Sequence, residues 1–300
     1  MEINSKIYTL LIGYQEDEKW RTSFNVLCQK TYRFDYEKWY ESGYWDGNCI
    51  LYSLADQDKV VSHVTVNVID FVILGEERKL MQVGTVMTDP DYKNQGLSRA
   101  LMEKVMLDWE DKCDMIYLFA NDQVLNFYPK FGFVPVEEYQ AVYQLKERRK
   151  GLAFRKMDMD DANDRDLLFQ TAKHAAPLFK ISMKDNAGLV MFYANYFDRF
   201  SIRNDLYYIP DLKAVVVAGN EGNTLTLFDI FAPSKVEITE VIHSLAEKET
   251  QEVRFTFMPN DTGDCDIQPY KEEDLTLFVP AKDAALFKDH RLNFPMLSHT

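Results

Sequence analysis

Residues Lys79–Glu103 read KLMQVGTVMTDPDYKNQGLSRALME, and this stretch decides the fold. Leu80 to Thr88 is rich in β-forming residues and carries no charge, as a buried strand requires. Asp89-Pro90-Asp91 stops it, because proline removes a ladder donor and restricts the residue before it. Lys93-Asn94-Gln95-Gly96 turns the chain, and Leu97, Leu101, Val105 and Trp109 then fall at helical spacing. A strand, a short loop and a helix start leave the backbone N–H groups of Asn94 to Arg99 aimed at one spot. An anion is attracted there, and Gly96, without a Cβ and free to take positive φ, lets it approach the backbone closely. The stretch is a phosphate cradle. It is not a P-loop, since no Gly-Lys-Ser/Thr follows, and the G-x-G-x-x-G dinucleotide pattern is missing.

Lys93-Asn94-Gln95-Gly96-Leu97-Ser98, preceded by Pro90-Asp91-Tyr92, resembles the coenzyme A loop of the GCN5-related N-acetyltransferases, the GNAT family. Lys93 stands where arginine is commoner in that loop, and Ser98 where glycine is commoner. A second segment follows at the family's distance. Met115 to Ala120 (MIYLFA) reads as a buried strand and leads into Asn121-Asp122-Gln123-Val124-Leu125-Asn126-Phe127-Tyr128-Pro129-Lys130-Phe131-Gly132-Phe133. In the family this is a short helix carrying a tyrosine, ended by Gly-Phe. The resemblance implies an α+β chain with a mixed sheet, the acyl-CoA N-acyltransferase fold, over residues 1–146.

Working outward, Glu18 to Lys30 and Tyr36 to Glu41 read as two helices, with Trp20, Phe24, Leu27 and Cys28 in one stripe. Tyr32, Phe34, Tyr36, Trp39, Tyr40, Tyr44 and Trp45 crowd this region, either as helix packing or as an aromatic wall for an acceptor. Cys49–Ala55 and Val60–Leu74 read as a strand pair, the second alternating Val64, Val66, Val68 against His63, Thr65, Asn67. Gln140 to Leu145 closes this half, and the charge run 146–151 reads as a linker to a second domain, 152–300.

In that second half, helices are expected over Asp160–His174, Asn186–Arg199 and Lys235–Lys248, and strands over Tyr207–Ile209, Ala214–Ala218, Leu225–Phe231 and Val253–Met258. MIYLFAND, ending at Asp122, is echoed by VRFTFMPND, ending at Asp261, each after a strand, a proline turn and a helix. The echo points to a tandem, degenerate repeat of the first fold, with another α+β domain as the alternative. Its loop Ala232-Pro233-Ser234-Lys235 is short and lacks glycine, so a single coenzyme site is expected, in the first half. The plan looks distantly like that of the Eis-type acetyltransferases, whose terminal carboxylate reaches the N-terminal active site. This chain lacks their sterol-carrier-like third domain, which weakens a carry-over to Thr300.

A net charge of −14 argues against a nucleic-acid partner and for a cationic ligand. No signal-like leader and no span-length apolar run is present, so a cytoplasmic protein without a membrane partner is expected. Cys28, Cys49, Cys113 and Cys265 show no C-x-x-C spacing and the five histidines no ligand spacing, so neither disulfide nor metal is expected.

The resemblance implies acetyl-CoA as cosubstrate and transfer of its acetyl group to a primary amine, by direct attack in a ternary complex. Lys93, Asn94, Gln95, Gly96, Leu97, Ser98 and Arg99 would hold the pyrophosphate, the backbones of Val86, Met87 and Thr88 the pantetheine, and Asn121 a further part of the coenzyme. Tyr128 would protonate the departing thiolate, a phenol being protonated at neutral pH. The base stays open between ordered water, a carboxylate and the Thr300 terminus, since the central strand offers only Gln82. The acceptor is expected to be a small amine in a cleft favoured by acidic residues and partly walled by the second domain; self-association is also open. The alternative is a non-catalytic acyl-CoA-binding or interaction protein on the same fold.

Overall fold

The computed structural model describes residues 1–196 and 201–299. Its first layer is a mixed sheet in the order Thr9–Ile12, Cys49–Asp56, Lys59–Ile73, Glu76–Thr88, Met115–Ala120, Thr276–Pro280, Phe133–Pro135. The first four strands are antiparallel neighbours, whereas Glu76–Thr88 and Met115–Ala120 run parallel. A parallel pair needs a crossover, and helix Leu97–Trp109 supplies it. Leu97, Leu101, Met102 and Val105 bury its inner stripe against Val64, Val66, Met81, Val83, Ile116 and Leu118.

The opposite face carries helix Glu18–Tyr32, capped by Asp17, whose carboxylate accepts from Trp20 N–H at 3.3 Å. Phe24, Leu27 and Cys28 bury there in a core that extends into the second half, with Leu189, Phe192, Tyr193, Val215 and Phe294. Since the sheet is covered on both sides, both faces of the alternating strand are interior, and His63 and Thr65 are as buried as Val64 and Val66.

The second layer orders Arg155–Lys156, Leu206–Ile209, Ala214–Glu221, Thr224–Phe231, Glu252–Phe255, Glu138–Gln144, Cys265–Tyr270. Thr224–Phe231 and Glu252–Phe255 are parallel and joined through helix Ile238–Leu245, the topology of the first crossover. The repeated sequence pattern is thus a repeated fold element. Between the expected strands, Ile181–Lys184 extends the first sheet by pairing with Ile73 to Asp70. Of the expected helix Asn186–Arg199, Ala187–Met191 is α-helical and Phe192–Tyr196 a π turn, while 197–199 lie outside the described residues.

The halves exchange strands. Thr276–Pro280, late in the chain, lies between Met115–Ala120 and Phe133–Pro135 in the first sheet. Glu138–Gln144, expected to close the first half, instead pairs with Glu252–Arg254 and Cys265–Tyr270 in the second. A cut at residue 146 therefore does not part the two sheets. The joint is tight where Trp39 Nε1 donates to Gly188 O at 3.0 Å. A Cβ on Gly188 would run into the Tyr44 carbonyl oxygen. Gly188→Ala is expected to cost about 1–3 kcal/mol through forced backbone displacement, read as a lowered denaturation midpoint.

Candidate active site

The parallel pairing of Glu76–Thr88 with Met115–Ala120 holds only from Leu80/Met115 to Val83/Leu118, after which the strands part. The central strand runs on to Thr88 with one edge open. Its other edge carries one extra residue, since Thr65 faces Gly84 but His63 faces Met87, and Thr85 at the bulge has φ 44°. Asp89 N–H donates to Val61 O at 2.8 Å, so alternation puts the backbone groups of Met87 on the paired edge and those of Val86 and Thr88 on the open one. The Val86 carbonyl already accepts from Tyr32 Oη at 2.9 Å. What the open edge offers is thus chiefly the Val86 N–H and the groups of Thr88, not the backbone of Met87.

The gap opens into a cleft of about 1110 Å³, beyond the upper end of ordinary ligand pockets (~300–1,000 Å³) and large enough for two substrates. At one end stands the cradle. Pro90–Tyr92 forms a 3₁₀ turn, Asn94 (φ 61°) and Gly96 (φ 82°) take left-handed conformations, and the helix begins at Leu97. No side chain caps this helix and its first turn holds no acidic residue, leaving the N–H groups of its first turn directed outward. Lys93, Asn94, Gly96, Leu97, Ser98 and Arg99 all line the cleft. Gln95 does not: its side chain accepts from Tyr8 Oη at 3.1 Å and donates to Asp91 O at 3.4 Å, behind the loop.

Asp89 anchors the cradle from beneath. It is 1 % exposed and bridges Lys30 at 2.9 Å and Lys59 at 2.7 Å. Burial pushes its pKa up, but hydrogen bonds from Lys59, Lys30 and the Asp91 N–H outweigh this and hold it at about 2. An ionised carboxylate so pinned is a brace, not a base. A depressed carboxylate adds stability that is complete above its unfolded pKa, near 4, and is lost as pH falls toward 2. With both lysines half exposed, Asp89→Asn is expected to cost about 1–2 kcal/mol at neutral pH and progressively less from pH 4 to 2, read by urea denaturation at each pH.

Tyr128 opens the 3₁₀ turn Tyr128–Phe131, which occupies the place of the expected short helix. Its ring packs between Phe127 and Phe278, at centroid distances of 5.2 and 5.9 Å, and Phe278 belongs to the exchanged strand. Burial, then the neighbouring Tyr32, raise its pKa above that of an ordinary phenol. The hydroxyl makes no hydrogen bond among the described residues and its residue lines the cleft. Asn121 lines it too, and its buried Oδ1 has no partner among the described residues.

The other end is aromatic. Tyr36 stacks on Phe192 at 5.4 Å and 11°, with Phe34 and Trp39 beside them and Tyr193 and Leu189 completing the wall. Among the described residues, every charged residue lining the cleft (Lys30, Lys93, Arg99 and Lys130) is basic, and the acidic residues expected around the acceptor are not found among them. The tail is docked: Tyr117 Oη donates to Ser298 O at 3.1 Å and His299 stacks on Phe119, itself in the cleft, at 3.8 Å. Thr300 lies outside the described residues. Among the described residues no cluster of three or more His, Cys, Asp or Glu could hold a metal, and no helix is long and apolar enough to cross a membrane.

A splayed parallel pair, a bulged central strand and an uncapped helix beside it make a site for a phosphate-bearing chain with an extended arm. Residues 17–136 match a family model described as the acetyltransferase (GNAT) domain. This segment is a GNAT domain. Around it, the whole chain is similar to several solved structures. One is a conserved protein from Enterococcus faecalis described as a probable N-acyltransferase, at 14 % identity and TM-score 0.55, covering 91 % of this chain and 72 % of the other. Another is Eis1 from Mycobacterium abscessus, at 15 % identity and TM-score 0.57, covering 93 % and 75 %. A third is a GCN5-related N-acetyltransferase from Kribbella flavida, at 15 % and 0.53, covering 91 % and 71 %. At such identities the likeness speaks to the fold, while the GNAT domain sets the chemistry as acyl transfer with an acyl-CoA cosubstrate.

The orphaned Asn121 oxygen, the uncapped first turn of Leu97–Trp109 and the basic lining suit such a cosubstrate. Tyr32 and Thr85 escaped the sequence reading. Tyr32 gave only an aromatic signal, and a positive φ at a threonine leaves none.

Proposed function

We propose that the chain transfers an acetyl group from acetyl-CoA to a primary amine, by direct attack within a ternary complex. The observation that carries this is the joining of a cradle, an open strand edge and a buried, unpaired phenol along one cleft. Lys93 to Arg99 would take the pyrophosphate, with Gln95 contributing only its backbone, and Asn121 a polar group further along. Pantetheine would extend the sheet along Val86 and Thr88, and the Val86 N–H would polarise the thioester carbonyl.

The amine nitrogen attacks the carbonyl carbon, and the C–S bond breaks. The Tyr128 proton passes to the thiolate sulfur, the nitrogen releases one proton to water, and water reprotonates Tyr128. Because burial holds the phenol above its ordinary pKa, it remains an acid throughout the neutral range. Among the described residues no carboxylate lines the cleft, so water is taken as the proton carrier, with the Thr300 terminus as the alternative. The cationic acceptor expected from net charge gains no support from this wall, and an amine with an apolar or aromatic body fits it better.

Calorimetric titration of acetyl-CoA tests the reading, followed by coenzyme-release assays with benzylamine, a polyamine, an amino acid and an aminoglycoside. Saturable binding at about one site per chain, with turnover of at least one amine, is the expected result. A protein that binds acetyl-CoA and releases no coenzyme with any of them would instead be a binding protein.

A further inference from the structure

Behind the inner end of the cleft lies a file of buried polar side chains that the transfer, as described, does not use. It begins at Thr85, a β-branched residue held at φ 44°, a conformation that persists only where the surroundings impose it and that gathers at functional sites. Thr85 Oγ1 donates to Thr65 Oγ1 at 2.7 Å. Thr65 Oγ1 lies 2.7 Å from His63 Nε2, His63 Nδ1 2.8 Å from Ser53 Oγ, and Ser53 Oγ 2.6 Å from Tyr14 Oη. Toward the cleft, Tyr36 Oη lies 3.3 Å from Thr85 Oγ1. His63 and Ser53 are fully buried and Thr65 is 1 % exposed, so water does not compete for these bonds.

The direction of the protons follows by elimination. Each hydroxyl has one proton to donate, and Thr85 spends its own on Thr65. Tyr36 must therefore be the donor to Thr85. Thr65 accepts from Thr85 and has a second lone pair, so its bond to His63 Nε2 runs in the direction the ring tautomer sets. Burial keeps that ring neutral, lowering the His63 pKa to about 3. The protons of the first two links, Tyr36 to Thr85 and Thr85 to Thr65, are directed away from the cleft. Tyr36 and Thr85, which both line it, face it with lone pairs only.

We infer that Tyr36 Oη and Thr85 Oγ1 form an acceptor pair that holds the two N–H groups of a primary amine and turns its lone pair toward the thioester. The inference rests on the transfer reading above. Thr85 adjoins Val86, whose N–H faces the open edge where the thioester carbonyl is placed, so the pair stands beside the reacting carbon. The pair accepts hydrogen bonds and removes no proton. Thr65 is a positioning residue, because by accepting the Thr85 proton it fixes which way the Thr85 and Tyr36 hydroxyls point, and His63 and Ser53 stand behind it. A chain of this kind also selects against acceptors that offer one N–H, since half of the pair is then left unmatched.

The test compares Thr65→Val and Thr65→Ser in the full chain. Coenzyme release is followed with benzylamine, or whichever panel amine is fastest, and with its N-methyl analogue. Thr65→Val has no hydroxyl to accept from Thr85. It is expected to lower kcat for the primary amine by roughly 10- to 100-fold and to bring the primary-to-secondary ratio toward one, with acetyl-CoA affinity within about twofold of wild type. Thr65→Ser keeps the hydroxyl and is expected to keep both rate and ratio. A Thr65→Val protein with wild-type rate and ratio, or equal losses in both variants with the ratio unchanged, overturns the acceptor pair alone. A wild-type protein that binds acetyl-CoA but acetylates no amine overturns the transfer reading, and the pair with it.

Discussion

Gly96→Glu is expected to weaken acetyl-CoA binding by at least about 100-fold while leaving the protein folded. Gly96 sits at φ 82°, directly before the helix, so any side chain there adopts the left-handed conformation at a cost of roughly 1–2 kcal/mol. That is small beside the ~5–15 kcal/mol that ordinarily holds a domain. Beyond its own chain neighbours, no atom of the described residues lies within 4 Å of where a Cβ would stand, so packing does not object. What the glutamate changes is the cradle. Its carboxylate would take up the N–H groups of the first turn, as a capping side chain does, and would repel the phosphates electrostatically. Losing two charge-assisted hydrogen bonds, at ~1.5–3 kcal/mol each, already exceeds the 2.7 kcal/mol that roughly 100-fold represents. Gly96→Ala separates strain from occupancy and should bind within about tenfold of wild type. Wild-type affinity in the glutamate variant, measured by calorimetry, would remove the cradle from the coenzyme site.

Tyr128→Phe is expected to reduce kcat by about 10²- to 10⁴-fold with acetyl-CoA affinity preserved. The prediction is clean because the hydroxyl has no partner among the described residues, so its removal leaves nothing newly unpaired. The ring contacts with Phe127 and Phe278 survive the change, and stability should too. With the phenol pKa raised by burial, the loss should be uniform across neutral pH instead of appearing with a titration. Single-turnover rates resolve the chemical step from product release. A variant within twofold of wild type in that step would exclude Tyr128 as the acid, leaving the thiolate, whose ordinary pKa is near 8.5, to depart unprotonated.

The cradle and the crossover were legible in the chain because local rules write them. Pro90 ends a strand, Gly96 starts a helix, and Leu97, Leu101 and Val105 recur at the helical period, so Leu97–Trp109 forms where the pattern puts it. Asn121 and Tyr128 were singled out by the family resemblance of the run between a buried strand and Gly132-Phe133, and both line the cleft. Charge was a poorer guide. Net charge describes the whole surface, whereas a ligand meets a few side chains in a cleft, and among the described residues those that are charged there are lysines and an arginine.

Sequence by itself thus determined the elements whose cause lies within a dozen residues: the strand, the cradle, the crossover helix and its echo in the second half. Tertiary structure alone decided the rest. The exchange of Thr276–Pro280 for Glu138–Gln144 joins segments more than a hundred residues apart, beyond the reach of any local rule. Phe278 reaches Tyr128, and Phe192 reaches Tyr36, only through that arrangement and its shared core. The positive φ of Thr85 belongs to the bulge, and the bulge to the pairing of two strands, so no local propensity announces it. Local chemistry wrote the cradle end of the cleft. The aromatic end was made by long-range packing, where hydrogen-bond satisfaction and burial, not sequence periodicity, set each side chain's place.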